Sequence, residues 1–209
     1  MPEGLSERRG MGWSKEKFLR EADEIRSIID ARGPKKDIDA TALSMLATQE
    51  RMVRANTLRF EDMDLGSDHL IHGDLTSGNI FFDEKDQVKH IFDPEHTQYS
   101  ARIMEIAKTL DFFCFRAETM KERFRRARVL LTEYHKIYPL IEQRLRDGLR
   151  AYFLRFVHYT WQCREYYKNN NERLRNVIVD DRERVVFLEQ HLDDFIDQVI
   201  AEAFRNKMS

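Results

Sequence analysis

Residues 72–79 combine the side chains and glycines of a compact reaction loop. They read His72-Gly73-Asp74-Leu75-Thr76-Ser77-Gly78-Asn79, and Asp93 follows nineteen positions after Asp74 in the segment Ile91-Phe92-Asp93-Pro94-Glu95. A carboxylate and a neutral amide oxygen suit a hard cation such as magnesium, which takes a few protein oxygens together with phosphates and waters. If the chain returns Asp93 to the side of Asn79, the two residues form a candidate magnesium site.

Two glycines and a hairpin are expected to bring these groups together. Gly73 lets the backbone turn tightly at the end of a strand, and Gly78 can take a positive φ that swings Asn79 back toward Asp74. Short strands are predicted at residues 69–71, 79–82 and 87–92, with the polar turn 83–86 closing a hairpin between the last two. This hairpin would return the chain so that Asp93 arrives beside Asn79.

The rest of the chain has mainly helical periodicity, with only eight Gly and four Pro among 209 residues. Ser14 is the predicted N-cap of the first helix. The predicted helices are 14–31, 40–54, 101–115, 118–137, 139–168 and 181–206, with breaks at Pro139, at 169–171 and at 179–181. The expected fold class is mostly α with a small β element (α+β). We expect one continuous domain after a loose leader at 1–13, divided into a helical lead-in at 14–68, a loop and hairpin at 69–97 and a helical subdomain at 98–209.

The HGDxxxxN loop and the following I-F-D-x-E segment resemble the catalytic loop and metal-binding strand of the aminoglycoside phosphotransferase and choline kinase family. Members of that family are small-molecule kinases with a protein-kinase-like fold. The segment from Glu105 to Leu110 resembles the family's downstream D-L-A helix, with Glu in place of Asp. By position, the resemblance implies that Asp74 orients the acceptor hydroxyl and takes its proton. It also implies that Asn79 and Asp93 bind magnesium and that ATP donates the phosphoryl group.

Four further residues of this segment are candidates for the site, three of them as supports of the loop. The resemblance implies that His72, with Gly73 and Gly78, supports the loop. Glu95 has three open interpretations: a third carboxylate on the metal side, a contact for a cationic substrate, or a solvated loop residue.

The family has a nucleotide-binding lobe ahead of this segment, with a phosphate-covering loop and a strand lysine. Here the preceding residues are predicted to be helical, and Gly10-Met11-Gly12 lacks a third glycine and flanking strands. The resemblance therefore implies a protein-kinase-like C-terminal lobe without the N-terminal nucleotide lobe. Three explanations stay open: a fragment of a longer enzyme, a naturally truncated homologue, or a partner that supplies the missing lobe.

The resemblance implies an ATP- and magnesium-dependent phosphotransferase acting on a hydroxyl of a small molecule, such as an aminoglycoside, a choline-like amine or a sugar. The alternative is a catalytically inactive kinase-like module that binds a ligand or partner. A weaker alternative is a helical scaffold that forms homo-oligomers through the apolar face of residues 14–54.

Composition excludes several other classes. Lys plus Arg number 35 and Asp plus Glu number 37, a balance that argues against a nucleic-acid partner. The longest run without a charged residue is the ten residues 40–49, about half of what a membrane-spanning helix needs, so no membrane partner is expected. The first residues do not resemble a secretion signal. Cys114 and Cys163 are expected to be buried, reduced thiols, and the expected location is cytoplasmic.

Overall fold

The computed structural model describes residues 12–33 and 36–204, which divide into two compact units. Within that range, the first unit contains residues 61–152 and 193–204, and the second contains residues 12–60 and 153–192. Residues 1–11 of the predicted leader, including Gly10 and Met11 of its GxG pattern, lie outside the described residues.

Helices account for most of the described residues, and the strands are few and short. The α-helices are α1 (Lys15–Ala31), α2 (Asp37–Ala55), α3 (Arg102–Leu110), α4 (Met120–Ile137), α5 (Glu142–Val157), α6 (Trp161–Lys168) and α7 (Arg175–Phe204). The strands are β1 (Asp68–Ile71), β2 (Ile80–Phe82), β3 (Val88–Ile91) and β4 (Gln98–Ala101). This content confirms the predicted α+β class. No helix in the described part of the chain is long and apolar enough to cross a membrane.

In the second unit, α1 packs against α2 and α6. Ser14 caps α1 as predicted, since its hydroxyl accepts a hydrogen bond from the Lys17 N–H over 3.1 Å. The apolar stripe of α1 is buried at Phe18, Ala22, Ile25 and Ile29. Self-association through residues 14–54 stays a prediction, and the burial of this stripe gives it no support.

In the first unit, two antiparallel pairs of strands surround the loop 72–79. Strand β1 pairs with β4, and Asp68 lies opposite Ala101. Strands β2 and β3 form the predicted hairpin, in which Ile80 lies opposite Ile91. Its turn is closed by the Asp83 N–H, which donates to the Gln87 carbonyl over 2.9 Å. The loop 72–79 follows directly after β1, and helix α3 follows directly after β4. The β1–β4 pair therefore connects to both elements of the candidate site.

Three predicted elements differ from the structure. Strand β4 was expected to be loop and the start of a helix, because its partner β1 lies about thirty residues earlier and local sequence does not reveal the pairing. The predicted helix 139–168 is two helices, because α5 ends at Val157. The buried side-chain amide of Gln49 donates to the carbonyls of Val157 and Tyr159 at that break, over 3.0 and 3.1 Å.

The predicted break at residues 179–181 is wrong, because α7 runs through it. The Asp181 carboxylate accepts a hydrogen bond from the side chain of Gln162 over 2.9 Å. This bond to another helix does not compete with the backbone hydrogen bonds of α7. Asp is only mildly unfavourable inside a helix.

Candidate active site

The loop 72–79, called here the HGD loop, begins at the end of β1 with a turn that requires glycine. Gly73 has φ of +79°, in the left-handed region, as its predicted role in a tight turn requires. A Cβ at this position would lie 2.2 Å from the carbonyl oxygen of His96. The HGD loop therefore packs directly on the turn Pro94–His96 that follows Asp93.

Asn79 returns to Asp74 through a 3-10 turn, Ser77–Asn79. The Asn79 N–H donates to the Thr76 carbonyl over 3.0 Å. Its side-chain Nδ2 donates to the Asp74 carbonyl over 2.8 Å and to Asp74 Oδ2 over 3.1 Å. The expected positive φ at Gly78 is wrong: the tight turn reverses the chain with an ordinary φ at that glycine.

The hairpin places Phe92 opposite Asn79, so Asp93 comes directly after the residue paired with Asn79. The Phe92 N–H donates to the Asn79 carbonyl over 2.8 Å and so extends the β2–β3 pairing by one step. Asp93 follows with φ 59° and ψ 59°. A left-handed non-glycine residue is uncommon, although Asp tolerates it better than most, and such residues are enriched at functional sites.

His72 joins the HGD loop to the end of the hairpin. Its Nδ1 accepts the Asp74 N–H over 3.3 Å, and its Nε2 lies 2.7 Å from the Phe92 carbonyl oxygen. Because Nδ1 accepts, the proton of a neutral imidazole lies on Nε2, which then donates to Phe92. A single side chain thus connects the residue before Asp93 with the backbone of Asp74.

Asn79 and Asp93 present a donor set that fits magnesium. Asn79 uses Nδ2 for its side-chain hydrogen bonds, and neither Asn79 Oδ1 nor the Asp93 carboxylate has a protein partner among the described residues. No cluster of three or more His, Cys, Asp and Glu side chains suited to a metal occurs in that part of the chain. One carboxylate and one amide oxygen match the way magnesium binds alongside substrate phosphates.

Helix α3 holds the HGD loop through two side chains one turn apart. Glu105 accepts the backbone N–H of His72 over 3.2 Å and that of Gly73 over 2.7 Å. Lys108 donates through Nζ to the Gly73 carbonyl over 3.0 Å and to Asp74 Oδ1 over 2.6 Å. The loop backbone is therefore anchored to one helix by a carboxylate and an ammonium.

These contacts set the ionisation of Asp74. Partial burial raises the pKa of its carboxyl, but the hydrogen bond and charge of Lys108 lower it, with smaller contributions from Asn79 and His96. The net result is a pKa below the ordinary value for Asp. Asp74 is therefore an ionised carboxylate at neutral pH and can accept a hydrogen bond from a hydroxyl.

Glu95 is well exposed in the turn after Asp93, and its Oε1 lies 3.4 Å from His96 Nε2. This placement agrees with a solvated loop residue, while a third carboxylate on the metal side and a contact with a cationic substrate both stay predictions.

Sequence reasoning found the HGD loop and Asp93 but gave Lys108 no role. Glu105 and Lys108 stand three residues apart on a helix, a spacing usually interpreted as an ion pair within the helix. The resemblance of their segment to a D-L-A helix was the available signal, because that helix follows the metal-binding strand.

Comparison with known proteins identifies the family of the chain. A family model described as the phosphotransferase enzyme family matches residues 7–140, more than half of the chain. The match contains the HGD loop, the hairpin, Asp93 and the whole of α3. Neither the curated proteins nor the solved structures gave a significant match.

Proposed function

This chain belongs to the phosphotransferase enzyme family, and from that membership we propose that it transfers the terminal phosphoryl group of ATP to a hydroxyl of a small molecule. The observation that carries the proposal is the setting of Asp74. Its carboxylate lies between the Asn79 amide and the Lys108 ammonium, and Asp93 comes directly after Phe92, the residue paired with Asn79. An ionised base beside a magnesium-type donor pair is what phosphoryl transfer requires, because that chemistry depends mainly on positioning and charge neutralisation.

In the proposed reaction, Asp74 accepts the proton of the acceptor hydroxyl. The acceptor oxygen forms a bond to the terminal phosphorus of ATP as the bond from that phosphorus to the ADP oxygen breaks. Asn79 Oδ1 and the Asp93 carboxylate are the atoms proposed to hold magnesium. When bound, the ion would supply neutralisation of phosphate charge. Glu105 and His72 keep the backbone of the HGD loop in place during transfer.

We propose a small hydroxylated acceptor and would test aminoglycosides first, then choline-like amines and sugars. Amine-bearing acceptors come first because the exposed carboxylate of Glu95 lies close to the HGD loop in the chain and can attract a cation. Glu95 is the residue proposed for such a contact. A cytoplasmic location and the absence of a nucleic-acid partner stay predictions.

We also propose that the chain supplies the C-terminal lobe of the enzyme, and an apolar surface on the hairpin supports this. Five large apolar side chains on or next to β2 and β3 are between 44% and 56% exposed: Phe81, Phe82, Val88, Ile91 and Phe92. These side chains give one hairpin a large share of exposed apolar surface, and such surface marks an interaction site. A nucleotide-binding lobe is the proposed occupant, because the hairpin adjoins Asn79 and Asp93, where the phosphates of ATP are proposed to bind.

The experiment is isothermal calorimetry of ATP binding with and without magnesium. We expect magnesium-dependent binding by the wild-type chain, no binding by Asp93→Ala, and wild-type binding by Glu84→Ala, which removes an exposed carboxylate from the turn of the same hairpin. Equal binding by wild type and Asp93→Ala would contradict the magnesium site. No binding at millimolar ATP would contradict a working nucleotide site in this chain.

The coding sequence upstream of the Met1 codon tests the lobe proposal separately. An in-frame glycine-rich hairpin and a strand lysine would support a nucleotide lobe encoded there. Their absence would leave a natural truncation or a separate partner, and a partner would raise the affinity of the chain for ATP when it is added.

A further inference from the structure

Lys108 is the one cation that the structure places in hydrogen-bond contact with Asp74, among the described residues. Its Nζ lies 2.6 Å from Asp74 Oδ1 and 3.0 Å from the Gly73 carbonyl oxygen. Both side chains are mostly buried, with 26% of Lys108 and 30% of Asp74 exposed. This contact therefore differs from the exposed ion pairs of the protein surface, which contribute little.

The bond from Lys108 comes from helix α3 and holds the Asp74 carboxylate on the oxygen that Asn79 does not bind. Asn79 holds Asp74 Oδ2 from within the HGD loop, and Lys108 holds Oδ1 from helix α3. With one partner on each oxygen, rotation of the carboxylate about its χ2 torsion is restricted. Each carboxylate oxygen can accept more than one hydrogen bond, so Asp74 still has room for an acceptor hydroxyl.

Glu105, one turn before Lys108 on α3, also binds the backbone of the HGD loop. It accepts the N–H groups of His72 and Gly73, while Lys108 donates to the carbonyl of Gly73. The peptide units on both sides of Gly73 are thus held by one face of α3. The Nζ of Lys108 also lies 6.0 Å from the centre of the Phe112 ring, at the outer limit of a cation–π contact.

We propose that Lys108 is a positioning residue, whose ammonium holds the Asp74 carboxylate in the orientation used for phosphoryl transfer. This inference rests on the proposed function. The ammonium has three N–H donors, and two of them bind the Gly73 carbonyl and the Asp74 carboxylate. Loss of the ammonium would leave Asp74 in the loop but held on one oxygen only.

The kinetic test compares Lys108→Met, which keeps the apolar stem and removes the charge, with Lys136→Met. Lys136 is an exposed lysine of α4 paired with Glu133, and it serves as the matched control. We expect kcat of Lys108→Met to fall about 10- to 100-fold, as misplacement of a reacting group by about 1 Å does, with KM for ATP nearly unchanged. Lys136→Met should keep wild-type kinetics.

Chemical rescue separates a positioning role from a general structural one. Lys108→Cys should be as impaired as Lys108→Met, and alkylation of its thiol by 2-bromoethylamine, with loss of bromide, restores a side chain ending in an ammonium. We expect most of the lost kcat to return after aminoethylation and none after alkylation with iodoacetamide. The native cysteines, Cys114 and Cys163, are buried and should not compete. Lys108→Arg, which keeps the charge, provides a second rescue should Lys108→Met fail to fold.

A measurement without turnover tests the contact itself. In NMR spectra of the lysine ammonium groups, the Lys108 signal should show a through-hydrogen-bond coupling to the Asp74 carboxyl carbon, and this coupling should vanish in Asp74→Asn. Its absence in the wild-type chain would overturn the inference, as would kcat of Lys108→Met close to wild type. An intact coupling in a wild-type protein that transfers no phosphoryl group would refute the proposed function and, with it, the role of Lys108 in transfer.

Discussion

Gly73 lies against the carbonyl oxygen of His96 so closely that a Cβ at position 73 would stand 2.2 Å from that oxygen. Gly73 precedes Asp74, and His96 ends the short turn that follows Asp93. This one backbone contact therefore joins the proposed base and the proposed metal ligand. A side chain cannot enter it without separating the two segments.

We predict that Gly73→Ala destabilises the protein and removes activity, because the new Cβ meets backbone rather than a movable side chain. The positive φ alone costs about 1–2 kcal/mol for a residue with a Cβ. Gly78→Ala is the matched control in the same loop, since its Cβ would meet its nearest neighbour, Thr76 Oγ1, at 3.8 Å. Denaturant unfolding compares the two variants. Equal stability of both would contradict the contact described for Gly73.

We predict that Glu105→Gln lowers the free energy of unfolding by about 1–3 kcal/mol, because the carboxylate accepts two backbone N–H groups and an amide has only one oxygen. Activity should fall with it, since the HGD loop loses an anchor. Glu118→Gln, at an exposed position before α4, should leave unfolding unchanged. A Glu105→Gln variant as stable as Glu118→Gln would show that the loop does not depend on this carboxylate.

The sequence predicted the local elements, namely the hairpin and the helix cap, better than the elements that depend on distant residues. The HGD loop, the hairpin and the helix cap at Ser14 follow from local rules of turns, strand pairing and capping, and the structure has each of them. Strand β4 and the break after Val157 depend on distant residues, namely β1 and Gln49. The contact of Lys108 with Asp74 is of the same kind, because it depends on how α3 packs against the loop.

We predict that neither native thiol reacts readily at pH 8 while the protein is folded. Burial raises the pKa of Cys114 to about 11 and that of Cys163 to about 12, so both remain protonated at that pH, and the thiolate is the reactive form. Labelling with Ellman's reagent should be on the order of a hundredfold slower than in denaturant. Rapid labelling of either cysteine in the native protein would contradict its buried position.

Transfer of labelled phosphate from ATP to a hydroxylated acceptor, by the wild-type chain and by Asp74→Asn, tests the central claim most directly. The substitution keeps the shape of the side chain and removes the base. We predict that kcat falls by a hundred- to ten-thousand-fold, the contribution expected of general-base assistance, while the far-ultraviolet circular dichroism stays at its wild-type value. Activity of Asp74→Asn within about tenfold of wild type would contradict the assignment of Asp74 as the base.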